Sequence, residues 1–332
     1  TGALIFGGQT NVDAMFELVI TEGGVASKIP VTNAKWVANR ELSVGGGGSG
    51  EGILSASTFD LNVPRGIHSP GLFAATARGT QIDRAVVRRY QLVNNAKVET
   101  YRWELTDAFL TAFDSHMLPG NQPEEVDRIS FQPSKINFFG KNTGTADFDF
   151  KTLKGGGSGN VDNGVDNDDR TTLQAKLAGQ KAFFSDGTKV TTVDSFAVDS
   201  YSYGAILPID SAAPTGERPL GNPDDSDLRL NLIGAPSGGL LGLVFNAKRV
   251  PESTMRLPSD SKVSVRPSYA LDLEDSRATQ YTYEDDVGAS RPTTSISLRA
   301  DTTAMLSFIP VTEMGKQGTK RSSTWNLIDD SK

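Results

Sequence analysis

The 332-residue chain contains no cysteine. That excludes a disulfide framework and every thiolate metal site. Histidine is almost as scarce, with only His68 and His116. A zinc site built from several His ligands is thereby set aside, and a Ser-His-Asp arrangement would have to use one of these two. No run approaches the roughly 18 apolar residues of a membrane helix, so no membrane insertion is expected. Positive charge is in deficit: the net charge is −7 and no basic cluster occurs. A nucleic-acid groove is therefore not expected. The opening Thr1-Gly-Ala-Leu-Ile-Phe-Gly-Gly has an apolar patch without a basic segment ahead of it, so no ordinary signal peptide is expected.

What is present is length, glycine and alternation. The length exceeds one typical domain, so two cores are the first expectation. Self-similarity supports this. Ser69-Pro-Gly-Leu-Phe reads against Ser237-Gly-Gly-Leu-Leu. Tyr101-Arg-Trp-Glu-Leu-Thr-Asp107 reads against Tyr269-Ala-Leu-Asp-Leu-Glu-Asp275, at the same offset of 168. Asp60-Leu61 with Asp227-Leu228, and Ile129-Ser-Phe131 with Ile296-Ser-Leu298, follow at an offset of 167. Four matches in one order at a nearly constant shift imply a duplicated domain. Lys151-Thr-Leu-Lys-Gly-Gly-Gly-Ser-Gly-Asn160 and the Asp-rich stretch after it read as a flexible boundary. The division expected is a first domain over 1–146, a linker over 147–182, a second domain over 183–313 and a polar tail over 314–332.

Within each half the period is mostly two, as in half-buried strands. Examples are Ala14–Ile20, Val98–Leu105, Lys135–Phe139, Tyr269–Leu273, Thr294–Arg299 and Ala304–Ile309. Ser185-Asp-Gly-Thr188 reads as a hairpin turn. Each half has one clear helix start. Ser69 is expected to cap a helix with Pro70 at its first position and Gly79 at its end; Ser237 caps the counterpart. A further helix over Arg170–Ala182 is compatible with the pattern. The fold class is mainly β: two tandem β-barrels, each of two packed sheets plus one short α-helix.

Several residue groups invite chemistry. His68 has only Asp60 as a nearby acid in sequence, and no Gly-x-Ser-x-Gly elbow presents a serine; a polar loop role is favoured over a general base. His116, in Asp114-Ser-His-Met-Leu-Pro, reads as a hairpin loop residue. Asp162, Asp166, Asp168 and Asp169 lack EF-hand spacing and read as solvated. Glu104/Asp107 and Asp272/Asp275 stand three apart, which on a regular strand sends the two carboxylates to opposite faces. Trp36, Trp103 and Trp325 read as core or interface residues. No catalytic residue, cofactor or metal site is expected. Two polar strand faces, Thr294, Ser295, Ser297 and Arg299 on one side and Arg102, Glu104 and Thr106 on the other, suit the wall of a channel.

The order of these features resembles a known family. Asn11-Val-Asp-Ala-Met-Phe is followed by a strand at Ile29–Trp36 and by Gly45-Gly-Gly-Gly-Ser-Gly-Glu-Gly52. Then come Phe59-Asp-Leu, Ser69-Pro-Gly-Leu-Phe-Ala-Ala-Thr-Ala-Arg-Gly79, the Tyr101–Asp107 strand and Pro123-Glu-Glu-Val-Asp-Arg-Ile-Ser-Phe131. Over about residues 11–140 this is similar to the haemolysin-coregulated protein (Hcp) family, the tube proteins of type VI secretion. The second half departs from the pattern: Pro214–Pro223 stands at the Gly-rich loop, and Gly238 replaces the Pro after the capping Ser. The resemblance implies six barrels in a ring and rings stacked into a hollow tube. With two barrels per chain, three chains would complete a ring. It also implies self-association, a contractile sheath, spike and baseplate proteins, and effector cargo as partners, with assembly in the bacterial cytoplasm before ejection. Gly45, Gly46, Gly47, Gly48, Ser49 and Gly50 would serve ring stacking, because a backbone without Cβ atoms can add to a neighbour's sheet edge; a phosphate-cradling loop would need a Lys that is missing. Two alternatives are a trimeric baseplate hub joining spike to tube and a secreted carbohydrate-binding β-protein.

Overall fold

Alternating apolar side chains drive the chain into strands with one face inward. In Phe59–Pro64, Phe59, Leu61 and Val63 are buried while Asp60 and Asn62 point outward. The computed structural model describes residues 14–40, 53–118, 124–159, 173–178, 195–203, 205–206, 224–225, 227–233, 235–246, 250–257, 268–289, 291–310 and 318–326. The first region comprises β1 (Phe16–Glu22), β2 (Val25–Pro30), β3 (Asn33–Arg40), β4 (Leu54–Ala56), β5 (Phe59–Pro64), α1 (Ser69–Arg78), β6 (Gln81–Val93), β7 (Ala96–Leu118), β8 (Glu124–Gln132), β9 (Lys135–Gly140), β10 (Gly144–Asp149) and β11 (Lys154–Ser158). The second comprises β12 (Leu173–Ala178), β13 (Ser195–Ser202), β14 (Ala205–Ile206), β15 (Asp224–Asp225), β16 (Leu228–Ile233), α2 (Gly238–Asn246), β17 (Val250–Leu257), β18 (Ser268–Asp286), β19 (Thr293–Ile309) and β20 (Arg321–Asn326).

All pairings are antiparallel. One layer of the first region runs β2-β1-β6-β7-β9-β10-β11, and the other runs β3-β5-β8-β7. Strand β7 belongs to both. It pairs with β9 over 101–106 and with β8 over 109–118, and Asp107 between them has φ +48°. The strand passes from one layer to the other at this point, and Asp tolerates the left-handed backbone better than most side chains.

The second region repeats this order. Its layers run β13-β12-β17-β18-β19-β20 and β13-β16-β19-β18. Asp275 of β18 interrupts the β18–β19 ladder between Glu274 and Ser276, with φ +50°. It lies 168 residues after Asp107. Each helix sits between equivalent strands, α1 between β5 and β6 and α2 between β16 and β17.

The regions are not separate. Residues 33–39 of β3 pair with 280–286 of β18, so the two inner layers form one sheet. Helix α2 crosses to the first region and lies on β10 and β11. There Gly157 closes on Gly238 and Gly242: a Cβ on Gly157 would stand 2.0 Å from the Gly238 carbonyl oxygen. Trp36 and Phe148 pack on Phe245 with ring centroids 6.2 and 5.3 Å apart. The buried apolar side chains accordingly form one cluster drawn from both regions, which overturns the expectation of two cores.

Other expectations change for the same reason, that distant pairing outweighs local composition. The Gly-rich stretch expected as linker enters the sheet at 154–158, where missing side chains make room for α2. Residues 173–178, compatible with a helix in sequence, form β12 between β13 and β17. Part of the expected polar tail forms β20 on β19. The strand expected over Ile29–Trp36 is broken between β2 and β3. His116 stands in β7 and not in a loop. Helix α1 begins at Ser69 with Pro at its start and ends at Gly79, φ +61°, as expected. Its cap residue, however, is His68; the Ser69 hydroxyl instead accepts the Gly66 amide at 3.0 Å. At α2, Ser237 Oγ accepts the Leu240 amide at 3.4 Å.

Candidate functional site

The sheet that joins the regions runs β7-β8-β5-β3-β18-β19-β16-β13, and its outward face is mostly polar, with Val37, Phe109 and Ala112 as apolar exceptions. Directly opposed residues share a face, which fixes the composition of this one. Asn62 opposes Arg128, Lys35 opposes Asp60 and Glu284, and Asn39 opposes Gln280. Across the second region Gln280 opposes Ser297, Thr282 opposes Ser295, and Asn231 opposes Ser295 and Ser200. Core-facing positions of the same strands are Trp36, Leu61, Ile129, Tyr283, Ile296 and Leu230, all buried.

Charges on this face are matched within it. Arg128 meets Asp60 at 2.8 Å, Lys35 meets Glu284 at 3.6 Å, and Arg299 meets Asp227 at 2.7 Å. Gln280 donates to Asn39 Oδ1 at 2.8 Å, and Asn231 donates to Ser200 Oγ at 2.8 Å. Partial burial pushes the Asp60 carboxyl up, but hydrogen bonds from Arg128, Ser130 and Thr58 outweigh it and hold its pKa below the ordinary value. Two shallow depressions lie on the face. One of about 370 Å³ is lined by Asn33, Lys35, Asp60, Asn62, Asp114 and Arg128. Another of about 530 Å³ lies beside Asn39, Asp227, Gln280 and Arg299. Among the described residues the arrangement is mainly hydrophilic, with its ion pairs formed within the face.

Of the two polar faces expected from sequence, the structure places Ser295, Ser297 and Arg299 on this sheet. Thr294 opposes Leu232 and Tyr283 and is buried on the core side. Arg102 and Glu104 belong to the other layer, between β6 and β9. Glu104 takes hydrogen bonds from Arg84 at 2.7 Å and Arg102 at 2.9 Å. Burial raises its pKa, but these bonds outweigh it and hold the pKa below the ordinary value.

Behind the polar sheet, the seam between regions is sealed by polar contacts. Arg40 donates from Nε to the Val244 carbonyl at 2.8 Å and from Nη2 to the Phe245 carbonyl at 2.7 Å. A cation there satisfies carbonyls at the end of α2 and complements its dipole. The Tyr101 hydroxyl stands 3.2 Å from that of Tyr283 and donates to Asp285, which Arg89 approaches at 3.5 Å. Burial raises the Asp285 pKa; Tyr101 and Arg89 oppose the rise without cancelling it. Burial likewise lifts both tyrosines well above their ordinary value. Sequence reasoning missed this group, because Tyr101 lies more than 180 residues from Tyr283 and Asp285 and no local pattern marks them.

The other candidates resolve individually. His68 is buried, and its Nε2 donates to the Pro64 carbonyl at 2.8 Å, fixing the entry to α1. Burial lowers its pKa. Asp107 and Asp275 both have left-handed backbone, yet Glu104 is occupied by two arginines while Asp107 reaches Lys151 at 3.7 Å. Trp36 and Trp103 are core residues with ring centroids 5.5 Å apart. Among the described residues no three His, Asp or Glu side chains gather as a metal site, and no helix is long and apolar enough to cross a membrane. Gly45 to Gly50, Asp162, Asp166, Asp168, Asp169, the Ser185–Thr188 turn and the 214–223 stretch lie outside the described residues.

The fold and this site define a helix-bearing β-barrel scaffold with a broad polar sheet face. Residues 20–138 match the family model of the type VI secretion system effector Hcp. The likeness lies within the first region of the chain. Solved structures similar to it include a mutant of Hcp1 from E. coli EAEC, with 14% identity, 41% of this chain and 99% of that one covered, and a TM-score of 0.37. Hcp1 from Salmonella typhimurium shows 19% identity, 42% and 97% coverage and a TM-score of 0.33. The secreted protein Hcp3 from Pseudomonas aeruginosa shows 15% identity, 41% and 99% coverage and a TM-score of 0.31. No curated protein matches the chain.

Proposed function

We propose that the chain is a non-catalytic tube subunit of a type VI secretion-like contractile injection machine, with two Hcp-like barrels, the second a diverged copy of the first. Three chains make a six-barrel ring, and rings stack into a conduit for effector cargo. The β3–β18 ladder carries this reading. It makes two barrel sheets into one continuous polar surface, and a third of a channel wall is then present in a single chain. Matched charges and small polar side chains suit a wall that lets cargo slide. The recurrence of strand order, helix position, left-handed backbone at Asp107 and Asp275 and register shift at Thr111 and Thr279 supports the duplication.

The remaining parts follow from that role. Gly45 to Gly50 serve contact between rings. A sheath surrounds the tube, spike and baseplate proteins meet its ends, and assembly takes place in the bacterial cytoplasm before ejection. The test is electron microscopy of the purified full chain over a range of concentrations. Rings or tubes with three-fold symmetry are expected. A capped trimer that never stacks would replace the tube with a baseplate hub, and single chains that bind glycans saturably would replace it with a carbohydrate-binding protein. Gly46→Pro with Gly47→Pro should abolish stacking and leave single rings; unchanged tubes would remove the loop from the contact.

A further inference from the structure

The internal seam is a heterologous contact, in which the second region offers one surface and the first receives it with another. The second region offers α2 and the 280–286 edge of β18. The first receives them on β10, β11 and the edge of β3. Because the two regions repeat one strand order, each surface has a counterpart at the other end of the chain, and neither counterpart is covered among the described residues.

On the offering side, α1 stands where α2 stands. Four residues after Ser237, Leu241 of α2 is 0% exposed; four residues after Ser69, Phe73 of α1 is 59% exposed. The 112–118 segment of β7 corresponds to 280–286 of β18. It pairs with β8 on one side and with nothing described on the other. On the receiving side, Phe138 of β9 opposes Trp103, and Leu306 of β19 opposes Leu271 in the same place of its ladder. Phe138 is 1% exposed and Leu306 is 43% exposed, with Phe308 beside it at 42%. Ser323 of β20, opposite Leu306, is exposed, whereas Ala146 opposite Phe138 is buried.

We propose that α1 of one chain docks on the bare face of β19 and β20 in a second copy while the free edge of its β7 pairs with the edge of β13, the counterpart of β3, repeating the internal seam between molecules. The occupant is a copy of this chain because the contact continues one the chain already makes with itself, with an apolar side chain exposed at matching positions on both surfaces. A heterologous contact repeated at constant rotation closes into a ring or runs on as a helix. With two barrels per chain, a rotation of one sixth of a turn per barrel closes on three chains. The inference rests on the ring reading above and adds the surfaces that join the chains.

The test uses Phe73→Asp and Leu306→Asp in the full chain, with circular dichroism as a check on folding and sedimentation velocity and microscopy as readouts. Both side chains are exposed within one chain, so each variant should fold. Each alone should lose at least ten-fold in ring population. An equal mixture should give two-chain species without rings, since the intact α1 of Leu306→Asp can dock on the intact β19 face of Phe73→Asp but the circle cannot close. Rings persisting in both variants would overturn these surfaces and leave the ring reading standing. A wild-type chain that stays single at every concentration would overturn both.

Discussion

Helices α1 and α2 occupy the same place in the strand order and meet opposite environments. α2 is buried along Gly238–Phe245, whereas α1 buries only Leu72 and Ala75. Their sequences anticipate the difference, Ser-Pro-Gly-Leu-Phe-Ala-Ala-Thr-Ala-Arg against Ser-Gly-Gly-Leu-Leu-Gly-Leu-Val-Phe-Asn. A helix that is apolar all round is a buried one. Glycines at its crossing with β11 let the two backbones approach. What the pair teaches is that a repeated element takes its stability from whatever covers it, and α2 is covered by strands of the other region.

Truncation should separate the two helices most. Phe245→Ala removes a ring packed on Trp36 and Phe148 and should cost about 3–5 kcal/mol in urea unfolding. Phe73→Ala, measured in dilute single chains, should cost less than about 0.5 kcal/mol. Equal losses would break the comparison. Next in size is Gly157→Ala, which forces a Cβ against the Gly238 carbonyl and the Gly242 amide and should cost about 3 kcal/mol, at the upper end for overpacking. The corresponding insertion at Gly79, where no atom lies within reach of a Cβ, meets only backbone strain.

Arg40→Met should cost about 2 kcal/mol, because the last carbonyls of α2 lose two charge-assisted hydrogen bonds in a buried setting. A smaller loss would mean that water replaces the guanidinium.

The seam also predicts a pH dependence. The Asp285 pKa is raised in the folded state, so the folded chain holds that proton more tightly than the unfolded one. Its contribution to stability is complete below the ordinary carboxylate pKa and is lost as pH rises through the folded value. Asp60 is shifted the other way, so its contribution is present above the ordinary value and lost as pH falls through the folded one. Asp285→Asn should therefore flatten the decline between acid and neutral pH, and Asp60→Asn should flatten the loss in acid. Urea midpoints across that range check both, and the same sign of change in the two variants would contradict the assignment. The smallest effect is expected at Lys35→Ala on the polar face, about 0.3 kcal/mol, since an exposed ion pair contributes little.

Much of the frame was legible beforehand. Strand alternation at 59–64 and 135–140, the stop at Gly79 and the four matches at near-constant offset are local signals, and local sterics and burial periodicity govern them. The matches at Ser69 and Ser237 fall on the two helix starts, and those at Tyr101 and Tyr269 fall on β7 and β18. The polar sheet was half legible. Ser295, Ser297 and Arg299 were placed on one face, but Thr294 was grouped with them although adjacent strand residues point to opposite sides. Arg102 and Glu104 were assigned without knowing that β7 changes layer at Asp107.

The amino-acid order alone determined that this is a cysteine-free, strand-dominated chain with two helix starts and a repeated ladder, because those properties depend on side chains within a turn or a strand of one another. The tertiary structure decided that the glycines at 155–157 would be strand and not linker, that residues 173–178 would pair instead of coiling, and that the two regions would share one interior. Those outcomes depend on partners tens to hundreds of residues away, and a segment cannot signal by its own composition which distant surface will cover it.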